Sequence, residues 1–141
     1  MPDELNLRLL DALGNMADTL VEELQADACA ISRAIGEVLI LVCERVPPGM
    51  TLQQGQGYLV PDYPQTEEVL DTGRPRALTL DDDDLDEAEA SVLRQHGLGA
   101  LLMLRLDLNG DVWGLVEVYR LARSPFSAAQ IRRATELVKL G

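Results

Sequence analysis

Gly97–Ser127, GLGALLMLRLDLNGDVWGLVEVYRLARSPFS, decides the fold. It reads as two long apolar strands joined at Asn109-Gly110, the dipeptide best suited to a two-residue type I′ turn because both central residues need positive φ. With Leu108 and Asp111 closing that turn, strict alternation puts Ala100, Leu102, Leu104 and Leu106 on one face beside Trp113, Leu115, Glu117 and Tyr119. The other face carries Leu101, Met103 and Arg105 beside Val112, Gly114, Val116 and Val118. Both faces are mostly apolar. An antiparallel sheet usually keeps one solvated face, so a sheet built on this hairpin needs a cover on each side. On this register Arg105 and Glu117 lie on opposite faces and do not pair; each marks a polar contact on an apolar floor or reaches the sheet edge.

Working outward, Ser127 with Gln130 forms a capping box for a last helix, with Phe126 and Ile131 placed as a hydrophobic staple. Upstream, Asp84 with Glu87 makes a capping-box-like start for a helix ending at His96-Gly97. Arg76–Leu80 reads as a strand. Pro64 and Gly73 bracket a short helix in the usual order of proline first and glycine last. Tyr58, Leu59 and Val60 make a short strand, and Gln53–Gly57 a loop after the strand-ending Pro47-Pro48-Gly49. Ala28–Ala34 and Glu37–Val46 form a second hairpin turning near Ile35-Gly36. Its register stays open: a two-residue loop puts Cys29 and Cys43 on opposite faces, and one residue more or less brings them together.

Residues 4–25 form the first helix, with Leu10, Leu13, Ala17, Leu20 and Leu24 as its apolar stripe. Leu7, Leu9, Met16 and Val21 widen that stripe. Two readings stand for such a surface: it lies across the sheet, or part of it also meets a partner helix.

The chain of 141 residues suits one domain, 1–141, with 47% hydrophobic and 26% charged residues. No apolar run is long enough to span a membrane, and Met-Pro-Asp-Glu lacks the features of a secretion signal, so a cytoplasmic location is the default. A net charge of −12 shows no basic patch for a phosphate backbone, so no nucleic-acid partner is expected. Cys29 and Cys43 lack metal-ligand spacing and read as small apolar strand residues. The run Asp81–Asp84 lacks the glycine and terminal glutamate of a calcium loop and reads as solvated, and no metal site is assigned. The lone His96, favoured by the dipole at a helix C-terminus, reads as structural. The chain stops close after an apolar helical run, which reads as a segment of a longer protein.

The element order and four strings resemble the GAF domain, a small-molecule-binding sensory module. The strings are Ala30-Ile31-Ser32, Val69-Leu70-Asp71-Thr72-Gly73-Arg74-Pro75, Trp113-Gly114-Leu115-Val116-Glu117-Val118 and Ser124-Pro125-Phe126-Ser127. Arg105 stands where such domains often carry proline. The resemblance implies an α+β fold: a six-stranded antiparallel sheet, terminal helices on one face, and short helices and loops between residues 47 and 97 on the other, with a ligand pocket beneath. It names no ligand, so the cofactor is unknown. The Asn-Lys…Phe…Asp-Glu signature of cyclic-nucleotide binders is missing, and neither cysteine falls in the covering segment, where a covalent bilin would attach.

A small-molecule site has apolar walls and a few directing polar groups. The candidates on that basis are Tyr58, Tyr63, Arg76, Leu80, Leu93, Leu102 and Glu117. The expected function is a regulatory module that binds a small molecule under the cover and signals through its terminal helices as a homodimer. The alternative is a ligand-free dimerisation or docking module. A catalytic role like that of the relatives that reduce methionine sulfoxide would need reactive cysteines in the covering loops, and no Ser-His-Asp or Cys-His pairing is evident.

Overall fold

A computed structural model describes residues 2–52 and 55–139, with side chains from residue 7 onward. Gln53 and Gln54 of the expected loop, and Leu140-Gly141 at the chain end, lie outside the described residues.

The chain runs α1 (Pro2–Glu23), β1 (Ala28–Ile35), β2 (Val38–Arg45), β3 (Gly57–Leu59), a 3-10 turn (Val60–Asp62), α2 (Pro64–Thr72), β4 (Arg76–Thr79), α3 (Glu87–Gln95), β5 (Ala100–Leu108), β6 (Asp111–Arg120) and α4 (Ala128–Leu137). The six strands form one antiparallel sheet in the order β3-β2-β1-β6-β5-β4. α1 and α4 cover one face around Leu13, Leu20, Leu24, Leu102, Leu104 and Val116. α2, α3 and the loops between β2 and β5 cover the other around Leu39, Leu78, Leu93, Leu101, Met103 and Leu115. The sheet is covered on both sides, as the two-faced hairpin requires.

Local signals hold where the chemistry is local. Asn109 (φ 54°) and Gly110 (φ 85°) form the two-residue turn between Leu108 and Asp111. Ser127 and Gln130 make the reciprocal capping box, and Phe126 and Ile131 pack into the same cluster. α2 starts at Pro64 and ends at Gly73 in the left-handed conformation.

Three expectations are corrected. The α3 cap is Asp86, which accepts from Glu89 N at 2.8 Å; Asp84 instead pairs with Arg76. Leu10 turns outward at 44% exposure, leaving Leu13, Ala17, Leu20 and Leu24 as the buried stripe, with Met16 beside it. The third concerns register. Leu106 faces Gly114 while Asp107 faces Val112, so Trp113 is an extra residue in β6. From that bulge onward β6 is flipped: Leu115, Glu117 and Tyr119 share a face with Leu101, Met103 and Arg105. Arg105 and Glu117 therefore lie on the same face. They still do not pair, because Arg105 binds Asp107 at 2.9 Å and donates to Leu70 O at 3.1 Å in the last turn of α2. A cation there complements the helix C-terminus.

A second bulge settles the first hairpin. Gly36-Glu37 is a two-residue loop, but Val42 is extra between the Ile31–Cys43 and Ser32–Leu41 pairs. Cys29 and Cys43 consequently share the helix-covered face.

Candidate functional site

The two bulges decide what faces the cover. Under β5 the cover packs solidly on Leu101 and Met103, both fully buried. Over β1 the sheet presents small side chains, of which Ala30 and Ser32 line a space that is not filled. A cleft of about 540 Å³, its open mouth included, lies there. Its floor is Ala30, Ser32, Leu39, Leu41 and the β6 residues Leu115, Glu117 and Tyr119. Tyr58 closes the floor from the edge strand β3, opposite Leu39, and the roof is Leu52, Tyr63, Thr66, Glu89, Val92 and His96.

The roof is fastened by specific bonds. The Glu44 carboxylate on β2 accepts from Leu52 N at 2.7 Å and so holds the loop over the cleft. Gln65 and Asp86 clasp the starts of α2 and α3 together. Asp86 N donates to Gln65 Oε1 at 2.9 Å, Gln65 N donates to Asp86 Oδ2 at 3.1 Å, and Gln65 Nε2 donates to Asp84 O at 2.7 Å. Gln65→Ala strips the two side-chain bonds, to Asp86 N and Asp84 O, and leaves the main-chain bond to Asp86 in place; a loss of about 1–3 kcal/mol in urea unfolding is expected. Unchanged stability would show the clasp to be idle.

Two carboxylates face the cleft. Tyr119 Oη donates to Glu117 Oε2 at 2.8 Å. Burial, reinforced by the charge of Glu89, pushes the Glu117 carboxyl up to about 8, against the lowering effect of the Tyr119 bond. Burial also raises Glu89, opposed by the hydroxyl that Thr66 donates to it. Tyr58 and Tyr63 meet edge to face with centroids 6.1 Å apart, and burial raises both phenols. Neither Lys nor Arg lines the cleft among the described residues.

Of the seven sequence candidates, Tyr58, Tyr63 and Glu117 line this cleft. Leu102 does not: it is fully buried on the face under α1 and α4. Leu93 is a core residue on the inner side of α3, and Leu80 sits at the edge of the same cluster. Arg76 is on the far edge strand β4 and binds Asp84. Sequence reasoning missed Glu89, Thr66, Ser32 and Tyr119, and it gave His96 only a helix-end role. The i, i+2 pair Glu117 and Tyr119 on an otherwise apolar strand was the available signal; the bulge hid which way it faced.

The acidic run is used structurally. Asp81 binds Arg123 at 2.7 Å, Asp82 accepts from Thr79 N at 2.8 Å, and Asp84 binds Arg76. Among the described residues no group of three His, Cys, Asp or Glu side chains is placed to hold a metal, and no helix is long and apolar enough to cross a membrane.

The GAF domain family profile matches residues 8–140. The chain belongs to the GAF domain family. Members are sensory and regulatory modules and are in general not catalytic. The fold is similar to that of the PixJ GAF domain of Thermosynechococcus elongatus in its blue-light absorbing form (TM-score 0.81, 22% identity, 99% of this chain and 84% of that one). It is also similar to the GAF domain of a two-component sensor histidine kinase from Bacillus halodurans (0.73, 18%, 91% and 86%). A third similar structure is the GAF domain/HD domain protein from Geobacter sulfurreducens (0.74, 19%, 91% and 85%). No curated protein matches the sequence significantly.

In this GAF domain Cys29 and Cys43 are free, buried and on the face opposite the cleft. Burial pushes both thiols up, Cys29 furthest, with the Cys43 charge adding to it. Neither thiol is expected to react with a disulfide reagent in the native protein within minutes, and both should titrate after denaturation. A fast-reacting native thiol would reopen a cysteine-based activity.

Proposed function

We propose that this GAF domain is a regulatory sensor that holds a small molecule in the cleft over β1 and reports occupancy through α1 and α4. The observation that carries the reading is the continuity of β6 between cleft and helices. Glu117 and Tyr119 line the cleft, and the next residue, Arg120, clamps the terminal helices. Arg120 donates from Nη2 to Leu24 O at 2.7 Å just past the end of α1 and from Nη1 to Pro125 O at 2.9 Å on the approach to α4. Its guanidinium stacks 4.2 Å from the Phe126 ring. Arg133 on α4 also binds Glu23 on α1 at 2.8 Å. A ligand that displaces Glu117 or Tyr119 acts on a strand whose next side chain holds both helices, and it shifts them if it binds one arrangement better.

The similar domains in a sensor histidine kinase and in the PixJ receptor fit a sensory role. One similar structure is a phycoerythrobilin-bound GAF domain from a cyanobacterial phytochrome. Here both cysteines face away from the cleft, so an occupant is held without a thioether. Two unpaired thiols suit a reducing, cytoplasmic setting.

A metabolite screen tests the reading: a ligand should raise the unfolding midpoint and shift the resonances of Tyr58, Tyr63 and residues 115–120 before those of α1 and α4. A protein indifferent to every compound would favour the second reading, a docking or dimerisation module. That reading draws on Leu7 and Leu10, which are 62% and 44% exposed on α1. A homodimer through the terminal helices belongs to both readings, and Leu7→Glu with Leu10→Glu should convert it to a monomer in sedimentation. A dimer that survives the change would place the interface elsewhere.

A further inference from the structure

We propose that the cleft selects a small organic cation, an amine or quaternary ammonium group on a short apolar or aromatic body, with Glu117 and Glu89 facing the charge and Tyr58 and Tyr63 the body. This rests on the ligand-binding reading above and names the class of occupant.

The polar lining consists of two carboxylates, three phenols, two hydroxyls and one imidazole, with no Lys or Arg among the described residues. The nearby basic residues are engaged elsewhere. Arg105 binds Asp107 and caps α2, Arg76 binds Asp84, Arg33 stacks on Trp113, and Arg120 holds the helix ends on the other face. Glu117 therefore has the Tyr119 hydroxyl but no cation of its own, and ionising it there without a counter-charge is costly. An anionic ligand would add a like charge to two already crowded acids. A cation instead supplies the missing counter-charge. The Tyr58–Tyr63 pair at the mouth adds aromatic surface, which attracts cations as well as apolar bodies. The chain's net charge of −12 draws cations toward the protein as a whole.

Proton linkage follows from the same groups. The titratable side chains facing Glu117 are Tyr119 on its own strand, Tyr58 from β3, Tyr63 before α2, and Glu89 and His96 from α3 and its end. β1, β2 and α2 contribute Ser32, leucines and Thr66, which do not titrate. Because burial and Glu89 hold the Glu117 carboxyl up to about 8, a cation binding below that pH drives a proton off it. Affinity for an amine should then rise between pH 6 and 8, by up to about tenfold per unit.

The test uses the whole chain and three near-isosteric probes, benzylamine, benzyl alcohol and benzoate, with choline and agmatine as further cations, followed by calorimetry and by the ring resonances of Tyr58 and Tyr63. At least one cation should bind with affinity that climbs with pH, with the alcohol and the carboxylate at least about tenfold weaker. Glu117→Gln, which keeps an acceptor for Tyr119, should weaken the cation by about tenfold or more. Glu89→Gln serves as a second variant should the first fold poorly. If benzoate or benzyl alcohol binds the cleft as tightly as benzylamine, the cation assignment falls while the small-molecule reading stands. Cation binding indifferent to both substitutions overturns the assignment by placing the charge elsewhere. Silence from every probe counts against both.

Discussion

Gly114→Ala is expected to destabilise the domain by about 3 kcal/mol or more. A Cβ built on Gly114 would stand 1.9 Å from the carbonyl oxygen of Ser32 and 3.0 Å from its carbonyl carbon. Those atoms are main chain of the neighbouring strand, so no rotamer change relieves the clash. β1 and β6 would have to separate at the centre of the sheet, beside the Trp113 bulge. The guanidinium of Arg33 fixes that bulge, lying 4.9 Å from the Trp113 ring centroid and donating to Trp113 O at 3.1 Å. Urea unfolding checks the prediction, with circular dichroism to show whether a folded state survives. A variant within 1 kcal/mol of the parent (roughly the size of an ordinary surface change) would mean that the strands sit further apart than described.

Glu117→Gln is expected to act in the opposite direction, stabilising the unliganded domain at pH 7–8. Burial lifts the carboxyl from an ordinary value of 4.5 to about 8, so between those values the folded state holds a proton that the unfolded chain has released. Wild-type stability therefore falls as pH rises across that window, by about 1.4 kcal/mol per unit at most. Glu89, also raised by burial, adds to the slope in the same sense. The glutamine has no proton to lose, keeps an acceptor for Tyr119, and should remove the Glu117 share of the slope. Near pH 5 the two proteins should be similar; at pH 8 the variant should lead by about 2–4 kcal/mol. Measuring the difference between them cancels the titrating groups that do not interact with Glu117, leaving Glu117 and its interaction with Glu89. The account is falsified if the difference is flat with pH or reversed in sign. The same variant then separates two roles of one side chain: a more stable protein that binds a cation less well marks a group held at a cost for recognition.

Much of the fold was legible because its decisive signals act over a few residues. Positive φ at Asn109 and Gly110, the Ser127–Gln130 box, and the Pro64 and Gly73 ends of α2 depend only on neighbours in the chain, and the structure keeps all of them. The apolar character of both faces of the 97–127 hairpin likewise dictated a sheet covered twice. Where a local signal was overruled, a contact made in space decided. The sequence pointed to Asp84 as the cap of α3, but Asp86 takes it because Gln65 holds it at the start of the helix, while Asp84 is drawn to Arg76. Arg105 became legible only once α2 was seen to end against it.

The candidate site was legible in part. Tyr58, Tyr63 and Glu117 were singled out as polar tips in an apolar setting, and all three line the cleft. Leu102 was assigned to the same face as Glu117, and the structure puts it on the other. A single extra residue in β6 separates the two outcomes, because a strand's side chains alternate with period two and one insertion exchanges every face beyond it. By itself, then, the sequence determined the elements, their order and the need for two covers. The tertiary structure alone decided where the chain bulges, at Val42 and Trp113, and hence which side of the sheet carries the acids and which the cysteines. Both bulges lie inside hairpins, Val42 opposite Ile31-Ser32 and Trp113 opposite Leu106-Asp107; beside the second, Gly114 comes against the Ser32 main chain of a strand about 80 residues away, a contact that leaves no trace in the local pattern of either strand.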